Sequence, residues 1–393
     1  MSSSGEVARE ASIRSQTAPR SGAVWIRLEE SLLPSLVALL VAAIVGDILI
    51  VVFGQSPGAV YRLLLEGTWG NSYGFGQVLY KATTLTFTGL AIAFALRAGL
   101  FNIGAESQLA AGGFAAATVG LALPPGLPWI ATLPVYVAAA ALGGGIVGGT
   151  AGVLKARFGA HEVITTIMLN FVVLALLSYL TAAHLKVPET LHTTEIRSGA
   201  LPRFSDFFAS FHGSAVNVVL LLAVLACAGA WWYLFHTRRG FELRAVGLQP
   251  EAAEYGGVRP GMVWTRAMAI SGAIAGLGGL NFVLGYKHYY EEGFAGGAGF
   301  LGIAVALVGG THPLGAALAA LLFATISQGG LAVNALVPKQ FVEVLQAVVI
   351  IAVAISVPEV RRMIRAQRKR AYPLRSTSTS SAVKSVSLAE LAA

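Results

Sequence analysis

Glu106 lies between Asn102 and Gln108 in a stretch flanked on both sides by apolar sequence. A carboxylate and two amides in such a setting can pass or hold a polar solute or ion. An ionisable group at membrane depth is tied to function by default. The plainer role is that Glu106 caps or ties neighbouring helices, and residue type alone leaves both roles open. Phe101 adds an aromatic ring to the same stretch, while Asn170 and Asn281 each interrupt an apolar run of their own. Asp47 and Gln328 raise the same question more weakly. The candidate translocation set is therefore Phe101, Asn102, Glu106, Gln108, Asn170 and Asn281.

Other chemistries fail on pattern. No Gly-Lys-Ser/Thr occurs, so no P-loop can cradle a triphosphate. Gly297, Gly299 and Gly302 fit G-x-G-x-x-G, but they open an apolar membrane run, where glycines serve close helix packing. His161-Glu162 is followed by Thr165 where a zincin needs histidine. No serine in a Gly-x-Ser-x-Gly elbow is read. No catalytic residue, cofactor or metal is expected, and the single cysteine, Cys227, allows no disulfide framework.

A second functional stretch is polar. Pro250 is placed to open a short helix and Gly256-Gly257 to end it. Glu251 and Glu254 fall in or near its first turn, where carboxylates suit the helix dipole. Arginines flank the segment. It is read either as a solvated connector or as a docking helix pushed by a partner.

The elements that must carry these residues follow from composition. Apolar residues make up 55% of the 393 and charged residues 12%, about half the ~25% of a soluble domain. Mean hydropathy is +0.71. The chain therefore reads as an all-α polytopic membrane protein. Many of the 46 glycines lie inside apolar runs, as close packing of membrane helices favours. Ten spans are expected, near 32–53, 77–96, 105–123, 129–154, 163–185, 215–235, 265–286, 299–310, 314–336 and 341–357. Thr311-His312-Pro313 breaks the eighth from the ninth, and the eighth is short enough to be a half-helix. Glycine-rich segments at 99–113 and 293–310 are the only sign of an inverted repeat.

Charge placement orients the chain. With the N-terminus inside, 20 of the 27 Lys/Arg fall on the cytoplasmic side, so both termini are placed there. The net charge of +8 is thus read as contact with anionic membrane lipid rather than nucleic acid. The expected organisation is a cytoplasmic segment 1–31, a permease domain 32–358 and a basic, Ser/Thr-rich cytoplasmic tail 359–393. Within the middle part, 186–214 is an outer loop and 236–264 a cytoplasmic one.

The run Gly99-Leu-Phe-Asn-Ile-Gly-Ala-Glu-Ser-Gln108 resembles the signature of permease subunits of the branched-chain amino acid/ribose-type ABC importer family, most closely its nucleoside and simple-sugar branch. Three further segments agree in order: 161–170, 245–257 and 299–310. Ser107 stands where the branch usually has glycine, and His161 where it often has asparagine.

The resemblance implies a type II ABC importer-like fold and a division of labour. Two permeases, identical or paired with a homologue, would form the pore. A separate ABC ATPase subunit would hydrolyse ATP, and an extracytoplasmic solute-binding protein would deliver the solute. The ATPase contact carries over onto Glu251, Ala252, Ala253, Glu254, Tyr255 and Gly256. The solute implied is a nucleoside, with a simple sugar of the ribose or galactose type as the alternative, and the setting a bacterial inner membrane. The rival from another class is an ion-coupled secondary transporter, which usually needs an intramembrane ionisable relay that these spans scarcely offer.

Overall fold

The computed structural model describes residues 40–352, apart from 42, 335, 339, 341 and 342, and residues 42–350 form one compact unit. The segments expected at 1–31 and 359–393 lie outside the described residues, as do 32–39 of the span expected at 32–53 and 353–357 of that expected at 341–357.

Every named element of the described chain is helical. Helices α1 (Ala43–Val52) and α2 (Pro57–Thr68) form a pair bent by 112°. Gly54 in the left-handed region (φ 75°) and Pro57 in the first turn of α2 make the bend. Helix α3 (Ser72–Arg97) is capped by Asn71, whose side-chain oxygen accepts the Gly74 N–H at 2.6 Å. It is the central helix: 78% of its apolar window is buried, against 17% for α6 (Glu162–Leu180, extended by a π turn Thr181–Leu185). The exposed face of α6 carries Ile164, Met168, Phe171, Val172 and Leu176, a surface suited to lipid or another apolar partner.

Between them run α4 (Ala105–Ala122) and α5 (Trp129–Phe158). Gly159, left-handed at φ 67°, ends α5. Then follow α7 (Val219–His236), α8 (Arg238–Leu248), α9 (Pro250–Tyr255) and α10 (Pro260–Leu277). Helix α10 continues through Gly279–Phe282 and a π turn, Val283–Lys287. Helices α11 (Ala298–Val308), α12 (Pro313–Ala332) and α13 (Glu343–Ala352) close the described chain.

Helices α5 and α10 meet backbone to backbone. A methyl group on Gly144 would overlap the Gly272 carbonyl oxygen, and one on Gly272 would overlap that of Gly144. The same holds for Gly148 against Met268 O and Gly276 against Ala140 O. In lipid, where burial drives little helix association, such contact is a main source of packing energy.

The expectation of ten spans is corrected. Among the described residues six helices are long and apolar enough to cross a membrane, or seven if the bent α1–α2 pair counts as one. Helix α4 falls short because Glu106, Ser107 and Gln108 occupy its first turn. Helix α11 has 11 residues, about 16 Å at ~1.5 Å per residue, and a straight crossing needs ~30 Å. It is the half-helix that the break at Thr311–Pro313 foretold.

Two non-helical segments lead into the interior. Residues 98–104 turn back from the end of α3, and Ala105 packs in one cluster with Ala91, Ile92 and Ala93. The start of α11 reaches a similar depth, where Thr88 Oγ1 donates to Ala298 O at 3.0 Å. Irregular backbone inside an apolar bundle requires internal partners. The segment 186–218 lies over the far end of α10, with Ile196 N donating to His288 O at 2.7 Å and Leu201 N to Leu284 O at 3.2 Å.

Candidate functional site

Glu106 lies in the first turn of α4 and is 7% exposed. Its Oε1 accepts the Gly297 N–H at 2.8 Å and its Oε2 the Gly299 N–H at 2.7 Å. The carboxylate thus ties α4 to the start of α11 and offsets the partial positive charge of that half-helix. The approach needs glycine, since a methyl group at Gly299 would overlap Glu106 N.

Asn102 is fully buried, and both ends of its amide are satisfied. Its Nδ2 donates to Gln108 Oε1 and to Ser271 Oγ, each at 2.8 Å. Its Oδ1 accepts Gln108 Nε2 at 3.0 Å and Gly104 N at 3.1 Å. Ser271 passes the chain on to Ala91 O at 2.6 Å, so one network joins α3, α4, α10 and the reversing loop. Asn170 locks the same loop from α6, donating to Ile103 O at 3.0 Å and accepting from Ser107 N at 3.1 Å. Ser107, which replaces the branch's usual glycine, returns its hydroxyl to Gly104 O at 3.1 Å, so the departure is accommodated locally.

Asn281 lies where α10 is interrupted. Its Nδ2 donates to Tyr80 O and Thr84 Oγ1, both at 2.9 Å, and its Oδ1 accepts Asn217 Nδ2 at 2.9 Å. The structure therefore brings Asn102, Glu106, Gln108 and Asn170 together around one buried loop and holds Asn281 apart. Phe101 is half-buried at the head of that loop.

A cavity of about 730 Å³ opens beside this framework, bounded by α3, α4, the end of α10, α11, α12 and α13. Its floor includes Gly297, Ala298 and Leu301, the stretch to which Glu106 is tied. None of the six sequence-derived pathway residues is on its lining, which instead includes Tyr80, Lys81, Phe282, Phe294, Phe300 and Ser327. Their one sequence signal was Lys81, a cation within an apolar run; the rest are residue types that any helix core carries.

The opposite end of α3 carries the second site. Gly247 of α8 abuts the α3 terminus so closely that a methyl group there would overlap Arg97 O, and Gly99 lies against the Gly247 backbone. Arg97 Nε donates to Thr311 O at 2.8 Å. The Arg97 and Arg244 guanidiniums lie 5.7 and 5.2 Å from the Phe235 ring centroid, and His312 stacks on the same ring at 5.5 Å. Burial, reinforced by the Arg97 charge, lowers the His312 pKa below the usual histidine value. Beyond this cluster projects α9, opened by Pro250 and ended at Gly256. Ala253 is its buried anchor, whereas Glu251, Ala252, Glu254 and Gly256 face outward. Tyr255 is 95% exposed and the neighbouring Leu248 88%.

The expected absence of the serine pattern is corrected: residues 70–74, Gly-Asn-Ser-Tyr-Gly, spell G-x-S-x-G. Ser72 follows helix α2 and opens α3 with no strand before it, so a nucleophile elbow is not formed. Among the described residues no group of three His, Cys, Asp or Glu side chains could hold a metal ion.

A polytopic helical bundle with a half-helix at an interior cavity and a short helix projecting from one end has the parts of a membrane transport protein. Residues 74–354 match the family described as branched-chain amino acid transport system, permease component. The chain belongs to this family, as a transport permease component and not an enzyme. It is 37% identical over 343 residues to the guanosine ABC transporter permease protein NupP of Bacillus subtilis, covering 84% of this chain and 94% of that one. It is 32% identical over 327 residues to the nucleoside ABC transporter permease protein NupB of Lactococcus lactis, with 81% and 90% covered. It is 34% identical over 332 residues to the glucose ABC transporter permease protein TsgB13 of Haloferax volcanii, with 79% and 84% covered. No solved structure matches the chain.

Proposed function

We propose that this chain is the permease subunit of an ATP-driven importer of nucleosides in a bacterial inner membrane. The observation that carries the reading is the near full-length similarity to two permeases named for guanosine and nucleoside transport. In this reading two permease subunits frame the pore, an ABC ATPase binds from the cytoplasm, and a solute-binding protein docks outside. The Lys/Arg distribution supports cytoplasmic termini and a cytoplasmic α8–α9. The overall plan is that of a type II ABC importer.

The ATPase contact falls on Glu251, Ala252, Ala253, Glu254, Tyr255 and Gly256. The exposed, Pro-initiated α9 follows directly on α8, whose Gly247 packs onto the end of α3, so a push on α9 can reach the loop that holds Asn102 and leads into Glu106. Movement of α9 on closure of the ATPase dimer would then reach the cavity floor without passing through a flexible linker. Asn102, Glu106, Gln108, Asn170 and Asn281, with Phe101, serve the pathway by holding its wall. A pore of this kind need not bind solute tightly, because tight sites slow release.

The test is uptake of labelled guanosine and adenosine by cells with and without the gene, with unlabelled ribose as competitor. Loss of nucleoside uptake on deletion, insensitive to ribose, is the expected result. Unchanged nucleoside uptake with lost sugar uptake would keep the permease and replace its solute. The relative named for glucose keeps that second reading in view.

A further inference from the structure

The cavity lining has two chemically distinct parts. One is aromatic. Phe282 and Phe294 lie nearly parallel, with centroids 4.9 Å apart and planes at 24°. Tyr80 contributes a third ring and is linked to Phe282 through Tyr286, at 5.4 and 6.2 Å. Phe300, in the first turn of α11, is 49% exposed although it lines a cavity inside a membrane bundle. The other part is polar. Lys81 Nζ reaches Ser327 O at 3.3 Å and Ser327 Oγ at 3.4 Å. Glu343 and Gln346 add acceptors and donors to the same lining.

A lysine at this depth is costly and marks a solute route by default. Glu343 on the same lining offsets its charge, so the cavity favours neither cations nor anions. The aromatic rings add little for a solute without a flat face, whereas base–aromatic stacking is strong and tolerant of base identity. The volume lies within the ~300–1,000 Å³ of small-molecule sites. The solute these groups fit together is an uncharged heteroaromatic base bearing a hydroxylated sugar.

We propose that this cavity is the solute-selective section of the pathway, with Phe300, Phe282 and Phe294 holding the base of a nucleoside and Lys81 with Ser327 holding its hydrogen-bond acceptors. The proposal rests on the importer reading and assigns its specificity to named residues of this chain.

The experiment uses the complete importer in proteoliposomes, comparing labelled guanosine with labelled ribose and recording solute moved per ATP hydrolysed. Phe300→Ala and Lys81→Met are each expected to lower guanosine moved per ATP about fivefold or more, the low end of a lost base stack. Phe300→Trp and Lys81→Arg should restore most of it. A second measurement does not depend on transport rate. In a Cys227→Ser background, Phe300→Cys should react with a water-soluble thiol reagent about threefold more slowly when guanosine is present and unchanged when only ribose is. Wild-type guanosine import with wild-type values for both variants, or thiol labelling indifferent to guanosine, overturns the assignment. Failure of the wild-type complex to import any nucleoside overturns the importer reading instead.

Discussion

Glu106 and Gly299 meet across 193 residues of sequence, the glycine N–H donating to the carboxylate at 2.7 Å. With Gly297 on the other oxygen, this makes one side chain the anchor of a half-helix that begins inside the bundle. Glu106→Ala leaves the buried Gly299 N–H without its acceptor, at about 1–3 kcal/mol, and frees the half-buried Gly297 N–H at the cavity floor. We expect a lower melting temperature of the detergent-purified complex and loss of uptake. Glu106→Gln retains one acceptor oxygen and should fall between wild type and alanine.

Contact between α8 and the end of α3 is expected to be intolerant of volume. Gly247→Val would push α8 off the Arg97–Gly99 backbone, at about 1–3 kcal/mol for overpacking. The diagnostic outcome is a permease that still assembles with its ATPase, measured by co-purification, while solute moved per ATP falls. Loss of assembly with no change in that ratio would place the contact outside the transmission route.

Glu254 faces outward on α9, so reversing its charge leaves packing untouched. Glu254→Arg is expected to reduce ATP hydrolysis stimulated by the solute-binding protein several-fold, with permease abundance in membranes unchanged on immunoblotting. Coupling that survived the change would remove this residue from the ATPase contact.

His312 predicts an acid-sensitive cluster. Its folded pKa is lowered by burial and then by Arg97, so the folded state favours the neutral ring. Its contribution is complete above the unfolded value of ~6.5 and declines as pH falls from there toward the lowered folded value. The Nδ1 atom accepts the Leu314 N–H at 3.3 Å as the cap of α12. His312→Asn keeps a cap without a titrating group. Melting temperatures at pH 7.5 and 5.5 should differ less in that variant than in wild type.

Local punctuation was legible in the sequence. Pro250 and Gly256 bound α9 where expected, and the proline after His312 separates α11 from α12. Polar residues at 102–108 announced an unusual stretch, but their type could not say whether they faced solute or one another. The partners that decide it, Gly297, Gly299 and Ser271, are 163 or more positions away from every member of that stretch. Span counting failed because crossing length is a property of the folded path, and both α4 and α11 begin at the end of an interior loop. The cavity was legible only in Lys81, since its lining is gathered from six helices and the loop before α11, which are far apart in sequence.

The glycine seam between α5 and α10 has a mechanical consequence. Two rods touching main chain to main chain have no cushion of side chains that could repack as one slides past the other. They must tilt as a single strut. Any rocking during a transport cycle is then taken up where the strut gives way, at Gly278, Gly279 and the overwide turn Val283–Lys287. The joint and the beam are cut from the same helix.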